Sequence, residues 1–383
     1  MMSKKDAETE LSILKSLSEK SSEDLGSRHI MTLLDEFQHE GPNGKHQCLV
    51  FEPMGATTAS LVEELPENKS IVYGKVERYP KWIAQKILAH ALRGLAFLHR
   101  NGVIHADAQT GNILFSMDNI DAVQENEIRQ DEVSTGVPVE RTDGKTDQWA
   151  PQKLFLAQSL HEHINLDSRL VVKLSDLGAC KLEVPLFPGN LLTAIIAFWA
   201  ANPPKGTVTP IALRAPELIF GQKISTGIDV WAFGCLMFEF LTGRLLFAVM
   251  KFGPDPEAQE DADDDHILQL NDVISPLSDT MMEAWPRSSK WYGPNREALN
   301  PHGTGDIYIH TPLEKLFNDN KNPEIDDEEA AVVISILRQI FKFDPEERPS
   351  ADELLKHPWF ADLSDQEIAS SHKVSASAGI KDV

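Results

Sequence analysis

The stretch from Pro80 to Arg100 constrains the chain most. Ile83, Ile87, Leu88, Leu92, Leu95 and Leu98 fall on one helical face, and Asn101-Gly102 follows as a stop signal. A helix this long with one continuous apolar stripe needs a second layer to bury it. Strand-like runs supply part of that layer. Val103-Ile104 and Ile113 to Phe115 flank a polar loop, Leu170 to Leu174 is a further candidate, and Ile30 to Phe37 and Gln47 to Glu52 bracket a Gly-Pro-Asn-Gly turn that predicts a hairpin. Helical spacing also occurs at residues 7–19, through Leu11, Leu14 and Leu17, and returns at Thr226 to Leu241 and Glu328 to Phe341. Strand candidates thus lie among helices in the first half, and helical signals resume in the second.

Composition narrows the function classes. At 42% hydrophobic and 25% charged, 383 residues can bury a sizeable core. Asp and Glu number 59 against 36 Lys and Arg, a net charge of −23, which disfavours direct contact with nucleic acid or an anionic membrane and favours a basic partner. The longest apolar run, Ala194 to Ala201, falls far short of the roughly 20 residues a membrane helix needs. The opening residues lack the apolar block of a secretory signal, and Cys48, Cys180 and Cys235 have no metal or disulfide spacing. A reducing compartment, cytoplasm and nucleus, is expected.

Chemistry concentrates in six short blocks. His105-Ala-Asp107-Ala-Gln-Thr-Gly-Asn112 sets an aspartate that can accept a proton five residues before an asparagine that can bind a metal, although a polar turn would carry the same residues. Lys173-Leu-Ser-Asp176-Leu-Gly178 puts a carboxylate on a tight turn after a strand, where magnesium carrying phosphate wants a hard oxygen. A strand-ending turn is the plainer alternative there. Arg214-Ala-Pro-Glu217, Asp229-Val-Trp231-Ala-Phe-Gly234, Asp344-Pro-Glu-Glu-Arg348-Pro and His357-Pro-Trp-Phe360 follow.

In this order, the blocks over residues 105–360 resemble the large lobe of eukaryotic protein kinases. The branch most resembled is the serine/arginine-protein kinases, through Asp35-Glu-Phe37, the Gly-Pro-Asn-Gly turn, Cys48-Leu-Val-Phe-Glu52, Asp-Leu-Gly in place of Asp-Phe-Gly, and Phe-Glu-Phe-Leu-Thr-Gly243. The resemblance implies a protein-kinase-like α+β fold with a mainly helical large lobe and a truncated small lobe. It places a partial small lobe at residues 1–54, the large lobe at 55–362 with an insert at 117–168 where that branch carries its spacer, and a flexible tail at 363–383. The implied activity is that of a monomeric serine/threonine kinase that uses ATP and Mg2+ on a basic, arginine/serine-rich protein in the control of mRNA splicing.

Carried over by position, the resemblance makes Asp107 the residue that orients the substrate hydroxyl and Asn112 and Asp176 the magnesium ligands. Glu52 to Met54 would meet adenine, Leu114 would lie beneath it and Phe51 behind it. Glu217 would pair with Arg348, and Asp229 would brace the catalytic loop. Glu10 matches the helix glutamate that pairs with the ATP-binding lysine, although a solvated helix carboxylate reads the same way. Antibiotic and choline kinases share the His-x-Asp-x-x-x-Gly-Asn string, so a small-molecule phosphotransferase is a further alternative, but they lack the Ala-Pro-Glu, Asp-x-Trp-x-x-Gly and Arg348 blocks.

The departures from that family generate their own expectations. No glycine precedes Gly26, and the glycine-rich loop and strand lysine would stand further before Glu10 than these residues reach. Weak ATP binding is the expected consequence, and either a pseudokinase acting as a binding module or a segment missing upstream would account for the departure. Gln109 stands where the family has a lysine touching the transferred phosphate, and charge-assisted hydrogen bonds exceed neutral ones by about 1 kcal/mol. Ala106 replaces an arginine that elsewhere reads a phosphorylated activation loop, so switching by loop phosphorylation is not expected. Residues 180–198 are an excess that reads as a translated intron. Finally, seven carboxylates between Asp255 and Asp265 form either a dock for arginine-rich substrates or a solvated flexible loop.

Overall fold

The computed structural model describes residues 4–20, 24–41, 44–66, 68, 76–117, 120–129, 136–140, 143–145, 153–155, 160–167, 169–179, 181–182, 208–300 and 309–360. Most of the anomalous 180–198 stretch and the whole 363–383 tail lie outside them. Helix α1 (Lys4–Glu19) turns Leu14 and Leu17 inward, as its spacing predicts, with Ile13 beside them and Leu11 only half-buried. The hairpin follows as β1 (Leu33–Gly41) and β2 (Gly44–Phe51), antiparallel, with Gly41 opposite Gly44. Its first strand begins later than Ile30 for a visible reason. Ile30 bridges Leu174, and the Met31 amide donates to the Leu174 carbonyl at 2.9 Å.

Strand β3 (Met54–Thr57) leads directly into α2 (Thr58–Glu64), whose first turn is capped by the Thr57 hydroxyl accepting the Ser60 amide. Helix α3 (Lys81–Arg100) is buried from Ile83 to Leu98 with breaks only at Gln85, Lys86 and Arg93. His99 and Arg100 close its last turn, where cations suit the helix dipole. Gly94 lets the segment 25–29 cross close by, since a Cβ there would stand 2.8 Å from the His29 carbonyl oxygen. After α3 come β4 (Val103–Ile104), β5 (Ile113–Ser116), the insert's small hairpin β6 (Gly136–Pro138) and β7 (Lys153–Phe155), then β8 (Val172–Leu174) and β9 (Lys181–Leu182). Strands β3, β5 and β8 form one antiparallel sheet in that order, and β4 pairs with β9.

Helix α4 (Gly227–Thr242) differs from a one-faced amphipathic helix, because every residue in it except Glu239 is buried. A helix that is apolar all round belongs in the centre of a domain. Trp231 stacks on Phe247 with ring centroids 6.1 Å apart and meets the edge of Phe341 at 4.9 Å. Around it lie α5 (Pro256–Gln269), α6 (Leu313–Asn320), α7 (Asp327–Ile340) and α8 (Ala351–Leu355). The Glu217–Arg348 pair joins this core in a two-pronged contact of 2.7 and 2.8 Å, with both side chains 1% exposed. Arg348 also lies over the Trp231 ring. The fold is therefore the mixed helix-and-sheet architecture, helical in its larger part, that the sequence predicts. No helix among the described residues is long and apolar enough to cross a membrane.

Helix α5 overturns the flexible-loop reading of the acidic run. Asp255 caps its N-terminus by accepting the Ala258 amide at 2.7 Å, and Pro256 opens its first turn. Its inner face carries His266, fully buried against the Phe247 ring, with neither ring nitrogen bonded among the described residues. Burial and the charge of Arg214 depress this imidazole to about 3. Because the folded value lies below the unfolded one, His266 adds no penalty above about pH 6.5, and stability falls as pH drops from there toward 3. His266→Phe should flatten the stability-versus-pH curve between pH 6.5 and 4 in urea titrations. An unchanged slope would show that another group sets it.

Candidate functional site

The site is built on the loop between β4 and β5, and its frame is Asp229. This carboxylate, in the first turn of α4 and 1% exposed, accepts the His105 amide at 2.7 Å and the Ala106 amide at 2.8 Å, and meets His99 Nε2 at 2.9 Å. Burial alone would raise it, but the His99 hydrogen bond and the charge of His99, helped by the Ala106 amide, outweigh burial and hold it below the usual carboxylate value. These bonds support Ala106 in a left-handed conformation at φ +66, unusual for a residue with a Cβ. The Thr209 hydroxyl donates to the Ala106 carbonyl from the other side.

His105 extends the frame to the second loop. Its Nδ1 accepts the Asp107 amide at 3.2 Å, which leaves Nε2 protonated to donate to the Ser175 carbonyl at 3.1 Å. The Ser175 amide returns to the Asn112 carbonyl at 2.8 Å. Asp107, Asn112 and Asp176 are thereby joined through three short connections. Asp107 is 5% exposed, and its two oxygens accept Gln109 Nε2 and Asn112 Nδ2, each at 2.9 Å. Burial raises its carboxyl, those two hydrogen bonds pull it back, and the charge of Asp176 adds to the rise. Asp176 itself is exposed at φ +58, its Oδ1 accepting the Gly178 amide at 3.3 Å. Glu10 lies near enough to feel it, since burial and then the Asp176 charge raise Glu10.

The donors suit a hard cation. Asp176 offers carboxylate oxygens and Asn112 an amide oxygen, while no group of three or more His, Cys, Asp or Glu that could hold a metal occurs among the described residues. Magnesium is commonly held by one or two protein oxygens together with substrate phosphates, so this sparse set fits it. Glu52-Pro53 connects β2 to β3, which Met54 opens, and Leu114 lies on β5 opposite Lys173 of β8. Phe51 ends β2, half-buried against the core.

Two features escaped the sequence reading. Glu239, the one residue of α4 that is not buried with the rest, lines a cavity of about 500 Å³ with Thr110, Tyr79, Arg78 and Arg244, and burial pushes it up to about 7. In the sequence it sits inside an apolar run and gives no separate signal. Lys173 forms an ion pair with Glu52, a contact between positions far apart in the chain that no motif spacing announces.

The protein kinase domain family matches residues 1–124 and 161–360. Among curated proteins, the serine/threonine-protein kinase SRPK of Physarum polycephalum is 28% identical over 366 residues, covering 93% of this chain and 76% of its own. Protein kinase dsk1 of Schizosaccharomyces pombe is 25% identical over 420 residues, covering 93% and 73%. The human dual specificity protein kinase CLK4 is 22% identical, covering 86% of this chain and 52% of its own length. Among solved structures, a kinase domain superposes with a TM-score of 0.55 at 21% identity, over 93% of this chain and 83% of that one.

Removing the Asp229 carboxylate strips the acceptor from two buried amides at once. Each unsatisfied group costs about 1–3 kcal/mol, so Asp229→Ala should lower stability by roughly 2–6 kcal/mol and expose residues 104–108 to hydrogen exchange. The folded carboxyl lies below its unfolded value, so this contribution is present at neutral pH and is lost as pH falls below about 4. A loss under 1 kcal/mol at pH 7 by denaturant titration would remove Asp229 as the frame.

Proposed function

The chain belongs to the protein kinase family, and from that premise we propose that it transfers the γ-phosphoryl group of ATP to serine or threonine of a basic, arginine/serine-rich protein. The process it serves is control of mRNA splicing, in cytoplasm and nucleus, with the chain acting as a monomer. The observation that carries the reading is the joining of Asp107, Asn112 and Asp176 through His105 and Ser175 on one frame. The names of the relatives from Physarum polycephalum and Schizosaccharomyces pombe support the protein-kinase part, and SRPK supports the substrate class.

Each residue then has a task. Asp107 accepts a hydrogen bond from the substrate hydroxyl and orients it, its carboxylate held in place by Asn112. The backbone of Glu52 to Met54 faces adenine, with Leu114 beneath. Asn112 and Asp176 would hold magnesium, which supplies charge neutralisation at the phosphates when bound with ATP. Gln109 is a neutral donor committed to Asp107 Oδ1. This last contact favours slow turnover, and at its limit a non-catalytic binding module, as the second reading.

The basic-substrate assignment draws on α5. Several of its acids are engaged internally: Asp264 is buried and accepts both indole N–H groups of Trp285 and Trp291, at 2.7 and 2.9 Å, as well as the Arg287 guanidinium. Glu260 and Asp261 also pair with Arg287, and Asp263 stands 3.7 Å from Arg214. What these contacts build is a groove of about 420 Å³ lined by Met250, Phe252, Asp261, Asp265, Lys290 and Trp291. Its carboxylates suit guanidinium groups and its apolar walls suit their aliphatic stems.

The test is phosphate transfer from Mg·ATP to an arginine/serine-repeat peptide, together with peptide affinity at low and high salt. Transfer should occur and fall by about 10²-fold or more in Asp107→Asn. Asp261→Asn with Asp265→Asn should weaken peptide binding severalfold at low salt, with the difference fading as screening shortens to about 3 Å at 1 M. Peptide binding without any transfer would favour the binding-module reading. Transfer to a non-basic peptide at equal rate would remove the substrate class.

A further inference from the structure

Lys173 stands on β8 between Val172 and Leu174, three residues before Asp176 and opposite Leu114. Its ammonium leaves that strand and grips Glu52, 2.7 Å from each carboxylate oxygen. Glu52 Oε1 also accepts the Thr32 amide at 2.9 Å, and the Glu52 amide donates to the Thr32 carbonyl at 3.4 Å. One carboxylate thus ties together three segments: the connection between β2 and β3, the entry to β1, and the strand that leads to Asp176. Both side chains are largely withdrawn from solvent, 13% and 25% exposed.

The backbone here needs such a tie. Glu52 and Pro53 lie outside both flanking strands, and proline has no N–H to bond. Among the described residues, the backbone of Glu52 is held to a neighbouring segment by the long contact to Thr32. A two-oxygen, charge-assisted grip is both stronger and more directional. The neighbouring segment is held to the same strand, since Met31 donates to Leu174.

We infer that Lys173 is a positioning residue of the nucleotide site: by holding the Glu52 side chain it fixes how the Glu52-Pro53-Met54 backbone is presented to adenine. The inference rests on the reading of residues 52–54 and Leu114 as the adenine site. It gives Lys173 a task that neither its motif nor its place before Asp176 assigns. Arginine would keep the positive charge at this position but would present a planar fork in place of a compact ammonium, so it tests charge separately from geometry.

The experiment titrates adenosine and Mg·ATP into the full chain and into Lys173→Met and Lys173→Arg, with amide exchange followed at residues 31–33 and 50–54. In Lys173→Met both ligands should weaken by the same factor, about fivefold or more, with faster exchange at Thr32 and Met54. Lys173→Arg keeps the charge and should weaken both ligands less than Lys173→Met does. Should Lys173→Met fail to fold because Glu52 keeps an uncompensated charge, the neutral pair Lys173→Met with Glu52→Gln carries the same expectation. Adenosine affinity equal to the parent's overturns the inference, whether Mg·ATP binding is unchanged or reduced, since a loss confined to Mg·ATP would act through Asp176. A parent chain that binds neither ligand overturns the adenine site itself and the positioning role with it. A parent that binds both, matched by Lys173→Met, overturns the positioning role alone.

Discussion

Everything at the site depends on a buried carboxylate in the first turn of a buried helix. Asp229 accepts two consecutive backbone amides and the ring of His99, and so fixes the chain where it passes from β4 into the polar loop. An anion is favoured at that end of α4 by the helix dipole and by its histidine partner. From it the order propagates outward: Ala106 is held left-handed, His105 is oriented toward Ser175, and Asn112 and Asp176 are brought to the same side. The helix core beneath is closely packed, with Trp231, Phe247 and Phe341 against one another and the Glu217–Arg348 pair sealed at 1% exposure.

Much of this was legible in the sequence because it is encoded locally. The apolar stripe of α3, the turn between β1 and β2, and the order of the six blocks all depend on residues within a few positions of one another. Pairing Glu217 with Arg348 needed the family resemblance, and the geometry agrees with that pairing. Three things were not legible. The acidic run reads as solvent-seeking by composition, yet Ala258, Ala262, Asp264 and His266 turn one side of it inward as α5. Indole N–H groups from Trp285 and Trp291 make burial of Asp264 tolerable, and nothing in the run itself announces them. Glu239 and the Lys173–Glu52 pair are tertiary facts of the same kind.

The electrostatics of the site favour a cation. Burial raises the carboxyls of Glu10 and Asp107, and the nearby charge of Asp176 raises both further. A divalent ion would relieve that repulsion while satisfying oxygen donors that protein groups leave partly open. Gln109 adds no positive charge, so the account assigns the metal a larger share of phosphate neutralisation than in a site that carries a lysine at that position.

The central claim is that Asp107, Asn112 and Asp176 form one metal-nucleotide site. Paramagnetic broadening by Mn2+ with ATP, read on backbone and side-chain amides of the full chain, tests it most directly. The account predicts broadening centred on residues 107–112 and 175–178, including the Asn112 side-chain amide, and its loss in Asp176→Asn. Broadening centred elsewhere, or unchanged in that variant, would contradict it.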